Sequence, residues 1–596
     1  MVFFFYTLFL TISLSFLSVA IGYAFLSRLS FWSGARDNVY FRAGLSFFTG
    51  TGLGLFGWSL LTHLTGDARL SLYLILAIII AWLIKERRTL AYFKTELPSD
   101  KKILLVILLF MSLGLLRAVI PIPQYFATES RLVPFAGFGD LNHSFRAGNI
   151  SNYIIDHDYF PRFNQNSAQS IIAAAPIFLG SRGVQLSLIF WLSIFIAFFT
   201  LLIYGLTRRN FLDGKLALIP PAIVLLGNTV LSPAYSAITD IQSAILLIAN
   251  YEGLFSIATL LISLIFLYEA LIQKKFRNSW LWLFGLFGFI WNITGPQSTL
   301  LFIFSLILTF IFFQKDIRVA DLAKILGSFL LAVVLGAIIQ GGMLSPSRYT
   351  ENPPIGGLME IKSGQAPLIG LRFPQTGEFD PQTFKKIGFI YQQLTAPIVI
   401  PASNASITVA TSSPAVSNPG LIARIKSDRL LFSLVKIAKS FQAVFFPLLG
   451  LSLFYLFKKK KIIENHSFNH FFWIHATALF LVGWAASTFF LMYGYSWELA
   501  RFLHFGCFAS MYVLGLALVF LINHFQIKKK AGQTLAVWFL IGFILFGPSA
   551  QYFIADILGN FILPYVPPDT MTAEISRQDM STMKIPDRFN LLINLK

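Results

Sequence analysis

The sequence predicts an all-α polytopic membrane protein with about fourteen transmembrane helices, one short helix beside the membrane and one long proline-rich external loop. Three observations carry that expectation. Only 12% of the 596 residues are charged while 56% are hydrophobic, and the mean hydropathy is +0.70; a soluble chain carries roughly twice that charge. Apolar runs of about twenty residues recur along the chain, long enough to cross ~30 Å of hydrocarbon as helices. The cations fall in short blocks between those runs, as positive-inside sorting demands.

The elements follow in order. The run from Met1 to about Leu26 has no basic stretch ahead of it and no small-residue cleavage site behind it, so it reads as a retained span and not as a signal peptide. Lys85-Glu86-Arg87-Arg88, Arg208-Arg209, Lys274-Lys275 with Arg277, Lys315 with Arg318, Lys458 to Lys461, and Lys528 to Lys530 are expected in the cytoplasm. Spans drawn between these blocks fall at 2–27, 43–64, 70–84, 103–120, 184–206, 216–232, 252–272, 279–293, 296–313, 321–340, 438–457, 470–490, 500–523 and 533–547. With them every block lies on one side. Residues 168–179 are apolar but too short to cross. They are expected as an amphipathic helix at the external interface, packing Ile171, Ile172 and Phe178 against the membrane domain.

The chain thus divides into an N-terminal membrane region at 1–340 with a first external loop at 121–183, an external loop at 341–437, C-terminal membrane helices at 438–547 and an external tail at 548–596. The 341–437 loop holds ten of the 26 prolines, and its Ser-Pro and Asn-Pro steps around Pro414 and Pro419 predict an irregular lid. One cysteine, Cys507, excludes a disulfide framework and a thiolate metal site. The net charge of +19 is met by anionic membrane lipid, because no basic face with interleaved aromatics lies outside the spans to bind nucleic acid.

The first external loop concentrates the chemistry. Residues 139–166 hold three Asp, two His and two Arg. Asp140 is a carboxylate near the bilayer surface, of a type that takes a proton from an attacking hydroxyl or holds a divalent metal. His143 and Arg146 follow along one face of any helix that starts there, and Asp140 equally suits the N-cap of that helix. Asp156-His157-Asp158 is a second acidic point, suited in type to a metal or a general base and equally to a solvated turn before Pro161. Arg162 and Asn164 stand where the chain returns to the membrane, and an arginine there pairs with phosphate or with lipid head groups. Glu252 sits at the mouth of a span. Glu498 and Arg501 are spaced to pair, while Arg501 and His504 open a late span at a depth where such residues are costly unless they bind an anion. His466, His470 and His475 straddle the cytoplasmic start of another span and read as interfacial structural residues.

Together these pieces resemble the GT-C superfamily of integral-membrane glycosyltransferases, which use polyprenyl-phosphate-linked sugars. The resemblance rests on Asp140, His143, Arg146 and Gly148, then Pro161-Arg162-Phe163-Asn164 with the 168–179 helix, and on Arg501-Phe502. It covers about 103–340 in organisation and 495–525 locally. Three spans precede the acidic loop where the family typically has one, and Asn142 stands at the second position of the usual two-carboxylate motif.

The resemblance implies a polyprenyl-phosphate-linked sugar donor entering from the bilayer and a glycan, lipid or protein acceptor at the outer face of a bacterial inner membrane. Asp140 would be the catalytic base, with Arg162 and Arg501 on the departing phosphate. His143, Arg146, Asp156, Asp158, Asn164, Glu252, Glu498 and His504 complete the candidate substrate site. A divalent cation, magnesium or manganese, is the one cofactor considered, with Asp156 and Asp158 as candidate ligands. Two alternatives stand beside this reading. An O-antigen-type polymerase or ligase would use His and Arg in its late loop, and 341–437 contains no His. A lipid-linked-sugar carrier or flippase would place charges deep in several spans, where only Arg117 and Glu269 stand out.

Overall fold

A computed structural model describes residues 2–32, 38–89, 105, 151, 154–158, 160, 168–210, 216–225, 251–294, 296–340, 448–465, 467–492 and 501–524. Every regular element among them is helical. In chain order these are α1 (Val2–Arg28), α2 (Val39–Thr65), α3 (Ala68–Lys85), α4 (Ala168–Phe178), α5 (Val184–Asn210), α6 (Ile219–Leu225), α7 (Tyr251–Leu267), α8 (Leu281–Thr294), α9 (Pro296–Phe313), α10 (Val319–Gln340), α11 (448–459), α12 (Phe468–Met492) and α13 (Arg501–His524). A π-turn, Tyr268–Ile272, continues α7.

Among the described residues six helices are long and apolar enough to cross a membrane: α1, α3, α5, α7 with its π-turn, α10 and α13. They coincide with spans drawn from the sequence, and α2, α8, α9 and α12 fall on four more. The expected spans at 103–120 (Leu105 apart) and 533–547, the loop at 341–437 and the tail at 548–596 lie outside the described residues. So do the second half of the span at 216–232 and the first half of that at 438–457.

Hydroxyls inside these apolar helices fold back on their own backbone. Thr11, Ser15, Thr49, Thr62, Thr200, Thr207, Ser263 and Ser510 each donate to the carbonyl four residues earlier, which satisfies a polar group that lipid or core could not. Glycine permits the tightest crossings. A Cβ on Gly22 would run into the Ser46 carbonyl and one on Gly50 into the Ser18 carbonyl, so α1 and α2 touch backbone to backbone in antiparallel sense. Gly44 against Leu202 and Gly205 against Phe41 do the same for α2 and α5. Beside that crossing Phe47 stacks on Phe198 at 4.0 Å. Asn38 caps α2 through Phe41 N–H (3.0 Å) and donates to the Gly205 carbonyl (2.8 Å), fixing the start of α2 to the end of α5.

The helix directions sort the bundle into two ends. At one, Arg28 closing α1 pairs with Glu86 behind α3, Arg209 closing α5 pairs with Glu269 in the π-turn, and Trp280 before α8 donates to the Leu29 carbonyl (3.1 Å). Phe313 closing α9 meets Phe471 opening α12, and Tyr268 meets Phe468. This is the basic end, and it holds every basic block among the described residues. The other end receives the start of α1, the α2–α3 turn, α4, and the first turns of α5, α7 and α13.

Candidate functional site

The far end is built around α4. Its C-terminal carbonyls are fastened from two sides: Tyr6 donates to Leu179 O (2.8 Å) and Tyr73 to Phe178 O (3.0 Å). Ser187 of α5 donates to Ala173 O (2.8 Å), and the Thr7 and Ser181 hydroxyls share a hydrogen bond. Trp58 of α2 packs against Phe160, ahead of α4, at 5.0 Å and against Phe178, at its far end, at 6.1 Å. One ring touching both flanks means that α4 does not cross the bundle. The expected helix is therefore present, with Ile171, Ile172 and Phe178 buried as drawn. Its amphipathic character needs correction: Ala173, Ala174 and Ala175 are buried as well, because α1, α2, α3 and α5 close around it.

Ahead of α4, the acidic segment is tied to the α2–α3 turn. Asp67 caps α3 through Leu70 N–H (2.8 Å), and Ala68 N–H donates to the Asp158 carbonyl (2.5 Å). Asp158 sits at φ 49°, a left-handed conformation that aspartate tolerates better than most residues. Its Oδ1 lies 3.3 Å from Arg69 Nε, an ion pair by distance but without hydrogen-bond alignment. Both side chains are about half exposed, 50% and 42%, so water screens the pair and its worth is at most ~1 kcal/mol. The Arg69 guanidinium also lies 5.4 Å over Phe178, and that of Arg182 lies 4.6 Å over Phe3. Asp156 and His157 are exposed.

These residues do not fit a metal centre. Among the described residues no three His, Cys, Asp or Glu side chains gather as metal ligands, and Asp158 faces a guanidinium that competes with a cation. Glu252 lies in the first turn of α7, and Arg501 and His504 in the first turn of α13, both at this same end. Asp140, His143, Arg146, Arg162, Asn164 and Glu498 lie outside the described residues.

Three arrangements escaped the sequence reading. Arg69 and Arg182 were not candidates, yet they bring two cations to the flanks of α4. Glu269, 1% exposed, is clasped by Arg209 (2.7 Å) and Lys275 (2.6 Å) at the basic end, and a carboxylate inside an apolar run was its only sequence signal. His475 makes its contacts inside the bundle. It is wholly buried between α12 and α9, with Nδ1 2.9 Å from Phe471 O and Nε2 3.1 Å from Thr309 Oγ1 and 3.2 Å from Ser305 O. His466 lies outside the described residues, and His470 is half-buried.

No family model matches the chain, and no curated protein or solved structure matches it either.

Proposed function

We propose that the chain is a membrane glycosyltransferase, moving a sugar from a polyprenyl-phosphate donor to a glycan, lipid or protein acceptor at the outer face of a bacterial inner membrane. One observation carries the reading. The acidic segment at 154–158, the α4 helix behind it and the first turns of α7 and α13 lie at the end of the bundle opposite the basic blocks. By positive-inside sorting that end is the outer one. Four candidate segments, drawn from three distant stretches of the chain, share it.

Asp140 takes the proton of the acceptor hydroxyl as its oxygen attacks the anomeric carbon. The bond from that carbon to the phosphate oxygen breaks, and the phosphate departs with the electron pair. Arg162 and Arg501 offset its charge, a term that is large in a site poor in water. Asp156 and Glu252 hold sugar hydroxyls.

The test is transfer from a synthetic polyprenyl-phosphate sugar in membranes carrying each variant. Asp140→Asn keeps most capping ability, so it should fold normally and lose about 10²–10⁴-fold in transfer. Arg501→Ala should lose transfer with little change in melting temperature. Normal transfer by Asp140→Asn, Asp156→Asn and Arg501→Ala alike would end the proposal.

A further inference from the structure

We propose that the exposed face between α8 and α10 at the basic end binds the head-group phosphate of an anionic phospholipid, held by Arg277 and Lys324 beside Trp282. Four cations near this end already have a carboxylate: Arg28 has Glu86, Arg209 and Lys275 share Glu269, and Arg318 has Asp321. Arg277 and Lys324 are exposed, and no ion pair joins either among the described residues. The fold brings Lys324 to the segment that carries Arg277. Lys324 Nζ lies 3.4 Å from Asn278 Oδ1, the residue next to Arg277, although 46 positions separate Lys324 from Asn278. One turn deeper, Ser328 donates to Leu281 O at 2.7 Å and holds the two helices in that register.

Trp282, in the first turn of α8 just after this segment, has 74% of its surface exposed. An indole is at home at head-group depth, where one edge is wet and the rest apolar. Beyond Lys324, α10 offers a dry strip. A Cβ at Gly327 would meet nothing within 4 Å, and Leu331, Val334, Leu335 and Ile338 are all exposed. From Lys324 to Ile338 the helix rises ~21 Å, about two thirds of a ~30 Å hydrocarbon core. Two exposed cations, an exposed indole and a long apolar strip match a phosphate that carries acyl chains, so a lipid is a better occupant than a free anion.

The experiment uses the full-length protein in detergent, with phosphatidylglycerol or phosphatidylcholine retained in native mass spectrometry. The wild type should keep phosphatidylglycerol preferentially. One basic residue beside an anionic lipid is worth about a five-fold change in binding, so Arg277→Gln and Lys324→Gln should each lose about five-fold and the double variant roughly twenty-five-fold. Lys324→Arg should keep the preference. Removing two exposed cations elsewhere at this end, Arg87→Gln with Arg88→Gln, should change little. Equal loss in that control pair would mean diffuse surface charge and overturn the proposal. So would equal retention of the two lipids by the wild type, undiminished phosphatidylglycerol on the single variants, or full competition by millimolar inorganic phosphate.

Discussion

Gly50→Ala adds one methyl group at the point where α1 and α2 meet. The added carbon would run into the Ser18 carbonyl oxygen and lie near Gly22 N. Both obstacles are backbone, so neither can turn aside as the end of a side chain could. Restoring ordinary contact requires the helices to part by ~1.5 Å, which forfeits much of the dispersion along the crossing. Overpacking of this kind costs about 1–3 kcal/mol, and the rigid obstacle puts Gly50 in the upper half of that range. Gly54, one turn along α2, supplies the control, since a Cβ there meets nothing within 4 Å. Both substitutions gain the same ~1 kcal/mol of helix propensity, so the difference between the two variants isolates the crossing. The assay is detergent melting of the wild type, Gly50→Ala and Gly54→Ala, with Gly22→Ala and the Gly22/Gly50 double variant alongside. Gly50→Ala should melt lowest of the single α2 variants and Gly54→Ala at or above the wild type. The double variant should lose less than the sum, because helices already parted accommodate the second methyl group. Equal melting of Gly50→Ala and Gly54→Ala would refute the backbone contact.

Three further outcomes are expected. Glu269→Gln leaves Arg209 and Lys275 without their shared counter-charge; with both cations partly exposed the cost should be about 2–3 kcal/mol, below the range for a fully buried pair, and Arg209→Gln should cost less because Lys275 still faces Glu269. A Glu269→Gln protein that melts like the wild type would show that this clasp contributes nothing. Hydrogen bonds from Arg28, opposed by burial and aided by Thr89, hold the Glu86 carboxyl below its ordinary value of 4.5. A depressed carboxylate stabilises above its unfolded value and loses that contribution as pH falls through the folded one, so the melting gap between the wild type and Glu86→Gln should be constant above about pH 4.5 and close below it; a gap that widens in acid would contradict the assignment. Cysteines at Asp156 and Arg182, exposed on either flank of α4, should react with an impermeant thiol reagent from one face of the membrane in a Cys507→Ala background, with Lys459→Cys reacting from the other; labelling of the two flanks from opposite faces would make α4 a span.

The helices were legible because length, apolarity and cation spacing are local properties. The spans drawn at 43–64, 70–84 and 184–206 meet Val39–Thr65, Ala68–Lys85 and Val184–Asn210, and the short apolar stretch at 168–179 is a helix that does not cross. Their neighbours were not legible. A helix apolar on every face carries no stripe to say which side meets which partner, so the backbone contact of Gly22 with Ser46, the meeting of Arg69 with Asp158 and the clasp on Glu269 left no periodic trace. His475 shows the limit most clearly. Its place near the start of a span gave no partner, yet the packing of α9 against α12 buries it completely, and its ring is satisfied by Ser305 and Thr309, more than 160 positions away.

The candidate site divides along the same line. That acidic and cationic residues gather in loops between spans is a fact of composition, and alternation of spans then sends alternate loops to the same end. This arithmetic brings 154–158 and the first turns of α7 and α13 to one end without any knowledge of packing. Which carboxylate is free there and which is occupied depends on packing. Asp158 is drawn to Arg69 by a backbone hydrogen bond from Ala68 that no motif announces. Asp156, two residues away, stays exposed. Of these two neighbouring carboxylates, Asp156 is therefore the one that the proposed transfer would offer to a sugar hydroxyl, and Asp158 the one that fixes the loop on which it stands.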